Sequence, residues 1–117
     1  MAVKEYTVDA AGKSLGRVAS EAAKALMGKN SPEYTPHIRS IVRVKIIHAS
    51  KLSVSTRKRM TKTYSTYSGF PGGRHVETFA MLSERRGVAE PIRRAVRRML
   101  PRNTFLNARL KQLEITE

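Results

Sequence analysis

Residues 6–27 read YTVDAAGKSLGRVASEAAKALM, and this stretch decides the fold. Its first part, Tyr6–Val8, is a β-prone run that a polar, glycine-containing turn closes. Ser14 then suits the N-cap of a helix in which apolar residues recur every three or four positions, and Gly28 supplies a stop. The stretch therefore predicts a β-strand followed by a helix over 15–27.

Several later segments also have the pattern of a strand or a helix. Ile41–His48 is rich in β-branched residues and predicts a strand, and Leu52–Val54 allows another. Pro91–Leu100 predicts a helix, because its apolar residues share one face and the proline suits the first turn. A short helix over Glu77–Arg86 and a final strand within Leu110–Ile115 follow the same reasoning. Strands interleaved with helices favour an α/β layer architecture with a mainly parallel sheet, while the loop-rich middle leaves α+β open.

Three segments are predicted to be irregular. Prolines stiffen a loop at Ser31–His37, and Thr56–Lys62 has the composition of a basic turn. Tyr64–Gly73 is a loop by composition, since three glycines and a proline fall within the five residues from Gly69. We therefore expect a long basic loop region in the middle of the chain.

The charge of the chain is unevenly distributed. Among 117 residues, 23 Lys and Arg stand against 9 Asp and Glu, which gives a formal net charge of +14. Residues 34–76 carry nine basic side chains and no acid, residues 91–113 carry seven and none, and residues 1–33 are nearly neutral. Like charges side by side repel, so these blocks favour a polyanionic partner, with nucleic acid ahead of a membrane surface or an acidic protein. An apolar share of 40% still permits one packed domain.

Catalytic and cofactor chemistry find little support in the residue types. The chain has no cysteine, and His37, His48 and His75 lack the spacing of a metal site. Asp9 is the only aspartate, so no Ser-His-Asp triad is proposed. From these residue types we also expect no cofactor and no small-molecule substrate. We expect no membrane partner, because no apolar run reaches the length of a span and residues 1–10 lack the core of a secretory signal. The alternative from another class is a small nuclease that uses His37 or His75 with a glutamate.

The start of the first predicted helix is a candidate anion contact. Gly12-Lys13-Ser14 lacks the earlier glycine of a nucleotide-binding loop, because Thr7 stands at that position. Lys13 and Arg17 at a helix start can still meet an RNA phosphate. A plain turn and helix cap is the competing interpretation.

The glycine-rich segment and the arginine-rich helix are two further candidates. The backbone of Gly69–Arg74 can approach a phosphate or ribose closely, and Tyr64, Tyr67 and Phe70 are spaced to stack on unpaired bases. A flexible surface loop with one aromatic tucked inward is the competing interpretation. On the helix over 91–100, two i, i+4 columns of arginine have no acid beside them, which favours phosphate binding over a merely solvated face. These columns consist of Arg93, Arg94, Arg97 and Arg98.

Four motifs resemble, in the same order, those of the bacterial-type large-subunit ribosomal protein L13 family. They are DAAGKSLGR at 9–17, GK with PEYTPH at 28–29 and 32–37, GFPGG at 69–73, and AVRRMLP at 95–101. The resemblance implies a three-layer α/β/α fold with a four-stranded, mainly parallel sheet and a non-enzymatic role. It implies one domain over 1–117 that binds large-subunit ribosomal RNA, supports early subunit assembly and contacts neighbouring large-subunit ribosomal proteins. The implied location is the large ribosomal subunit in the cytoplasm, with an organellar ribosome left open.

The RNA-binding candidates are the residues carried over from these motifs together with basic and aromatic residues of the two acid-free blocks. The resemblance assigns RNA contact to the motif residues Lys13, Arg17, Lys29, Tyr34, His37, Gly69–Arg74, Arg97 and Arg98. The complete set is Lys13, Arg17, Lys29, Tyr34, His37, Arg57, Lys58, Arg59, Lys62, Tyr67, Gly69, Phe70, Gly72, Gly73, Arg74, Arg93, Arg94, Arg97 and Arg98.

Overall fold

Strand β1 (Lys4–Asp9) leads through a tight turn into helix α1 (Leu15–Met27) in the computed structural model, so the predicted strand and helix are confirmed. Ser14 is extended at the helix start, although its hydroxyl makes no capping hydrogen bond. Gly28 ends the helix with a φ of 82°, a left-handed conformation that glycine adopts without strain. The structure describes residues 4–30, 32, 37, 39 and 41–117.

Three strands form the parallel sheet in the part of the chain that the structure describes. Strand β2 (Val42–Ile47) lies between β1 and β5 (Leu113–Ile115) and runs parallel to both. Val44 is paired with Tyr6 on one side and with Leu113 on the other. The α/β class is therefore confirmed, whereas the four-stranded sheet and the three-layer arrangement implied by the resemblance are not.

The two faces of this sheet differ, because side chains alternate along each strand. β2 buries its even-numbered residues on the side where α1 packs, and it exposes Arg43 and Lys45 on the other side. Glu5 is in register with Arg43, and Glu114 is in register with Lys45. The exposed face therefore mixes charges of both signs.

A short irregular connection follows β2. It contains a 3-10 turn at Ala49–Lys51 and a single parallel bridge between Ser53 and Ser14. This bridge is all that forms of the strand allowed at Leu52–Val54, with a hydrogen bond of 3.0 Å from the Ser53 N–H to the Lys13 carbonyl. The connection therefore anchors the turn that precedes α1.

The basic segment after this connection is helical. The prediction of a turn over Thr56–Lys62 is wrong, because Thr56–Thr61 forms helix α2. The Ser55 hydroxyl accepts a hydrogen bond of 3.1 Å from the Lys58 N–H and so caps the helix. The cap gives this short, charged helix a defined start. The composition of the segment, from which a turn was predicted, does not reveal the cap.

The first part of the loop predicted at Tyr64–Gly73 is a strand of a β-hairpin, and the rest is its turn. Strand β3 (Thr63–Tyr67) pairs antiparallel with β4 (Arg74–Thr78), and residues 68–73 form the turn. The loop prediction is wrong for 64–67, where threonine and tyrosine favour a strand. The glycines of the following residues obscured that signal.

Three helices follow the hairpin. Helix α3 (Phe79–Arg86) begins later than predicted, because Thr78 belongs to β4 and its hydroxyl caps the helix. Helix α4 (Ala89–Met99) begins before the predicted start and contains all four arginines. Helix α5 (Leu106–Lys111) occupies the first part of the predicted final strand, which is confined to β5.

The core is built around helix α1, which packs against strands β1 and β2 and also against helix α4. Val18, Leu26, Ile92 and Val96 are fully buried in it. Because these residues occupy one side of each helix, the polar side of α4 faces outward. No helix among the described residues is long and apolar enough to cross a membrane.

Candidate nucleic-acid interface

The start of α1, helix α2, strand β3 and helix α4 meet around an open cavity of about 220 Å³, here named the Tyr64 cavity. Part of its lining is apolar and part is cationic. The apolar part and the glycine beside it comprise Leu15, Gly16, Tyr64, Ala95 and Met99, and the cations are Lys58, Lys62, Arg94 and Arg98. Candidate residues from two separate acid-free blocks therefore lie together.

Tyr64 is a wall of this cavity and is only 5% exposed. The Lys62 ammonium lies 5.7 Å and the Arg94 guanidinium carbon 5.5 Å from the centre of its ring, within the range of cation–π attraction. Burial raises the pKa of the Tyr64 phenol, and the charges of Arg94 and Arg98 oppose that shift. Of the three aromatics predicted to stack on bases, Tyr64 is thus the one tucked inward.

Two of the four arginines of α4 have an acidic partner, which corrects the prediction that none can pair on its own helix. Arg93 lies 3.6 Å and Arg94 3.3 Å from carboxylate oxygens of Glu90. The pairs form because the helix begins at Ala89, which places Glu90 in its first turn at i, i+3 and i, i+4 spacing. Arg93 and Arg94 are therefore partly neutralised.

The other two arginines stay available to an external anion. Arg97 and Arg98 are exposed in the last turn of α4 and form no ion pair with any described residue. The helix dipole stabilises cations in the last turn of a helix, so the helix itself also favours arginine at these two positions. The unpaired positive charge of α4 is concentrated at its C-terminal end.

Of the two candidates beside the start of α1, only Arg17 is free of an acidic neighbour in the described structure. The Lys13 ammonium lies 3.4 Å from the Glu21 carboxylate, while Arg17 is exposed.

In the turn before α1, the Asp9 carboxylate accepts a 2.9 Å hydrogen bond from the Ala11 N–H. That bond, and then the His48 ring 3.0 Å away, hold the pKa of Asp9 below its usual value.

Helix α2 presents its charges in two directions. Lys58 is half-buried at the Tyr64 cavity, and Arg57 is exposed. Arg59 instead borders a different cavity of about 200 Å³ that also contains Glu84. The structure therefore brings Lys58 and Lys62 together with the arginine helix but leaves Arg59 elsewhere.

The hairpin turn exposes the two remaining aromatics. Tyr67 is 68% and Phe70 72% exposed, and Arg74 is also exposed where β4 begins. Gly69 and Gly72 have φ values of 91° and 74°, a conformation that favours glycine. Tyr67, Phe70 and Arg74 are therefore accessible to a partner.

Gly73 closes the hairpin turn through two backbone hydrogen bonds. Its N–H donates to the Phe70 carbonyl at 2.9 Å, and its carbonyl accepts from the Ser68 N–H at 3.2 Å. A Cβ at Gly73 would overlap the Ser68 hydroxyl and lie 2.9 Å from the Phe70 carbonyl oxygen. Glycine is therefore required at this position by close approach of the chain.

Three candidates follow α1 in the sequence. Lys29 and His37 are both exposed, and Tyr34 lies outside the described residues. The 13 residues of α1 span about 20 Å at 1.5 Å per residue, which separates Lys29 from Arg17 and the Tyr64 cavity. Among the described candidates, Lys29 is therefore separate from the Tyr64 cavity.

Arg109 belongs to an acid-free block but does not contribute to its outer surface. The side chain is buried, with 3% exposed, and its guanidinium carbon lies 5.4 Å from the centre of the Phe105 ring. The i, i+4 spacing of Phe105 and Arg109 is the sequence signal for this contact. Counting charges along the chain overestimated the outward-facing cations for this reason.

The histidines belong to no group in the described part of the chain that could hold a metal ion. His75 shares a shallow cavity with Glu77 and Glu84, but Arg85 occupies the Glu77 carboxylate with two hydrogen bonds of 2.6 and 2.8 Å. These bonds lower the pKa of Glu77 and hold it as an acceptor for Arg85. His37 lies on another part of the chain, in a turn after α1.

These features define a small basic α/β protein in which cations from several elements line one cavity. The chain belongs to the ribosomal protein L13 family, whose model matches residues 3–117. The family is a structural, non-enzymatic component of the ribosome, so the nuclease alternative is set aside.

Individual proteins of this family are similar in sequence to most of the chain. The "Large ribosomal subunit protein uL13" of Burkholderia vietnamiensis (strain G4 / LMG 22486) is 43% identical over 110 residues, which cover 94% of this chain and 77% of that protein. The protein of the same name from Burkholderia orbicola (strain MC0-3) has the same identity and coverage. The one from Burkholderia pseudomallei (strain 668) is 42% identical over the same shares.

Proposed function

We propose that residues 1–117 form a single domain that binds large-subunit ribosomal RNA as a structural part of the large ribosomal subunit. The observation that carries the proposal is the grouping of Lys58, Lys62 and Arg98, which have no acidic partner among the described residues, around one cavity. Neighbouring cations repel one another in the free protein, and an RNA phosphate backbone relieves that repulsion. The relatives named for the large subunit support the choice of RNA.

The proposed RNA contacts fall into a main face and two further sites. The main face consists of α2 and the C-terminal end of α4 with Arg17. The hairpin turn adds exposed aromatics and close backbone approach, and the end of α1 adds a separate contact. The residues of the main face are Arg17, Arg57, Lys58, Lys62, Arg97 and Arg98. Those of the hairpin turn are Tyr67, Gly69, Phe70, Gly72, Gly73 and Arg74. The third group consists of Lys29, Tyr34 and His37.

Four candidates have a weaker claim to direct RNA contact. Lys13, Arg93 and Arg94 each have an acid within 3.6 Å, so they offer less free charge, and Arg59 borders the cavity that contains Glu84. We assign them a supporting role: they add to the positive potential of the domain, and Arg94 also holds Tyr64.

We also propose that the chain supports early subunit assembly and contacts neighbouring large-subunit proteins in a bacterial cytoplasmic ribosome, with an organellar ribosome as the other possible location. The exposed sheet face suits a protein neighbour better than RNA, because Glu5 and Glu114 lie among its cations. Surfaces that mix both signs allow specific pairing across a protein interface.

Co-sedimentation tests this proposal. The protein, expressed with a small tag, is expected to sediment with the large ribosomal subunit and to stay bound through a wash at moderate salt. A variant that lacks the charges of Arg97 and Arg98 is the matched comparison and is expected to be removed by that wash. Recovery of the wild-type protein only in the soluble fraction would contradict the proposal.

A further inference from the structure

We infer that the Tyr64 cavity receives a single unpaired nucleotide of the bound RNA, with the base against its apolar wall and the adjacent phosphate on its cations. The inference rests on the proposed RNA-binding function and names one contact within it. It depends on the size of the cavity, on its lining and on the arrangement of charge around it.

The size of the cavity favours a single planar group. Its volume is about 220 Å³, below the roughly 300 Å³ at which pockets for drug-sized ligands begin. Gly16 lines one side, and a Cβ built there would meet nothing within 4 Å, so the absence of a side chain keeps this side open. The cavity therefore has room for one base.

The lining matches the two halves of a nucleotide. Tyr64, Ala95 and Met99 offer an aromatic ring, a small side chain and a polarisable thioether, which are suitable neighbours for a base. Met99 is 43% exposed although it is apolar, so it is available for such a contact. A base alone would not need the surrounding cations, and a phosphate alone would not need the apolar wall.

The cations limit where the phosphate can lie. Arg94 is already engaged by Glu90 and the Tyr64 ring, whereas Lys58 and Arg98 have no acidic partner among the described residues. The phosphate therefore lies between α2 and the end of α4. Bases in a duplex are stacked inside the helix, so only an unpaired nucleotide can enter the cavity and meet these cations together.

Filling the cavity without changing its charge tests the inference. Gly16→Leu adds a side chain at the open side, and Gly16→Ala is the matched control that adds only a Cβ. Affinity is measured for an unstructured oligoribonucleotide and for a fully paired RNA duplex of the same length. Gly16→Leu is expected to weaken binding of the single strand about tenfold and to leave duplex binding unchanged. Equal single-strand affinity for Gly16→Leu and Gly16→Ala would overturn the inference.

A labelling experiment gives an independent result if Gly16→Leu changes the fold. The chain has no cysteine, so Met99→Cys carries a single thiol at the cavity, and Met81→Cys on α3 is the exposed control. Bound single strand is expected to slow maleimide labelling at position 99 more than bound duplex does, and neither RNA is expected to slow labelling at 81. Unprotected Cys at position 99 under saturating single strand would overturn the inference. If neither RNA binds the wild-type protein, the proposed function itself fails.

Discussion

The guanidinium of Arg94 lies 5.5 Å from the centre of the Tyr64 ring, while its Nε donates a 3.3 Å hydrogen bond to Glu90. One side chain thus connects helix α4 to the hairpin β3–β4 and is satisfied within the protein. Arg97 and Arg98, one turn further along, have no such partners in the described structure. The arginines of α4 therefore divide into a pair that stabilises the fold and a pair that is free to bind.

Replacing the free pair is expected to weaken RNA binding without loss of stability. Arg97→Ala with Arg98→Ala removes two unpaired, exposed cations, so the slope of log affinity against log salt is expected to become shallower by about 1.5 to 2. Filter binding to large-subunit rRNA at several salt concentrations measures the slope. Arg43→Ala with Lys45→Ala removes the same charge from the exposed sheet face and is the control. An equal loss of slope in the control would show that only net charge matters.

Replacing the engaged arginine is expected to affect stability. Arg94→Ala removes the contact with Tyr64 and leaves Glu90 with only the weaker Arg93 pair, so the free energy of unfolding should fall by about 1 kcal/mol. Arg97→Ala is the control on the same helix and should change it by less than about 0.5 kcal/mol. Urea unfolding measures both, and equal stabilities for the two variants would contradict the division of the arginines.

The hairpin turn is expected to reject a side chain at Gly73. Gly73→Ala places a Cβ against the Ser68 side chain and the Phe70 carbonyl oxygen, which should cost about 1–3 kcal/mol as an overpacked contact does. Adding Ser68→Gly relieves the first overlap only, so it should restore part of the loss. Thermal unfolding gives the comparison. A fully stable Gly73→Ala variant would show that the turn is looser than its geometry indicates.

The turn before α1 is expected to lose stability in acid. The Ala11 N–H, and after it His48, lower the pKa of Asp9 from its ordinary value of 3.8, so the folded protein binds this proton less readily than the unfolded chain. The stabilisation is complete above that value and is lost as the pH falls through the lower folded pKa. Asp9→Asn should therefore be less stable than wild type near about pH 6 and closer to it near about pH 3. A constant difference in urea unfolding between the two proteins across this range would contradict the assignment.

The sequence predicted the secondary structure correctly where the local signals all agree. The strand, turn and helix over residues 4–28 follow from β propensity, helical periodicity and a glycine stop, although the Ser14 hydroxyl makes no capping hydrogen bond. The prediction is wrong where a short signal competes with composition. Thr56–Thr61 is helical because of the Ser55 cap, and Thr63–Tyr67 is a strand because it finds a partner in β4.

The site was predictable as a set of residues but not as an arrangement. Charge counting identified Lys58, Lys62 and Arg98, yet their meeting at one cavity depends on how α2 and α4 pack beside β3. The same counting included Arg109, whose burial against Phe105 follows from tertiary packing. The helix was also predicted to begin at Pro91, which left Glu90 outside it. The pairing of Glu90 with Arg93 and Arg94 was missed for this reason.

The salt dependence of binding to large-subunit rRNA is the most direct test of the central claim that this chain is an rRNA-binding protein. If the cations of the main face neutralise about six phosphates, log affinity should fall against log salt with a slope of roughly −4 to −5. The measurement needs only the wild-type protein and an rRNA transcript, titrated at low through moderate salt. A slope in that range is the result predicted here, and an affinity that stays flat across the range would contradict the account.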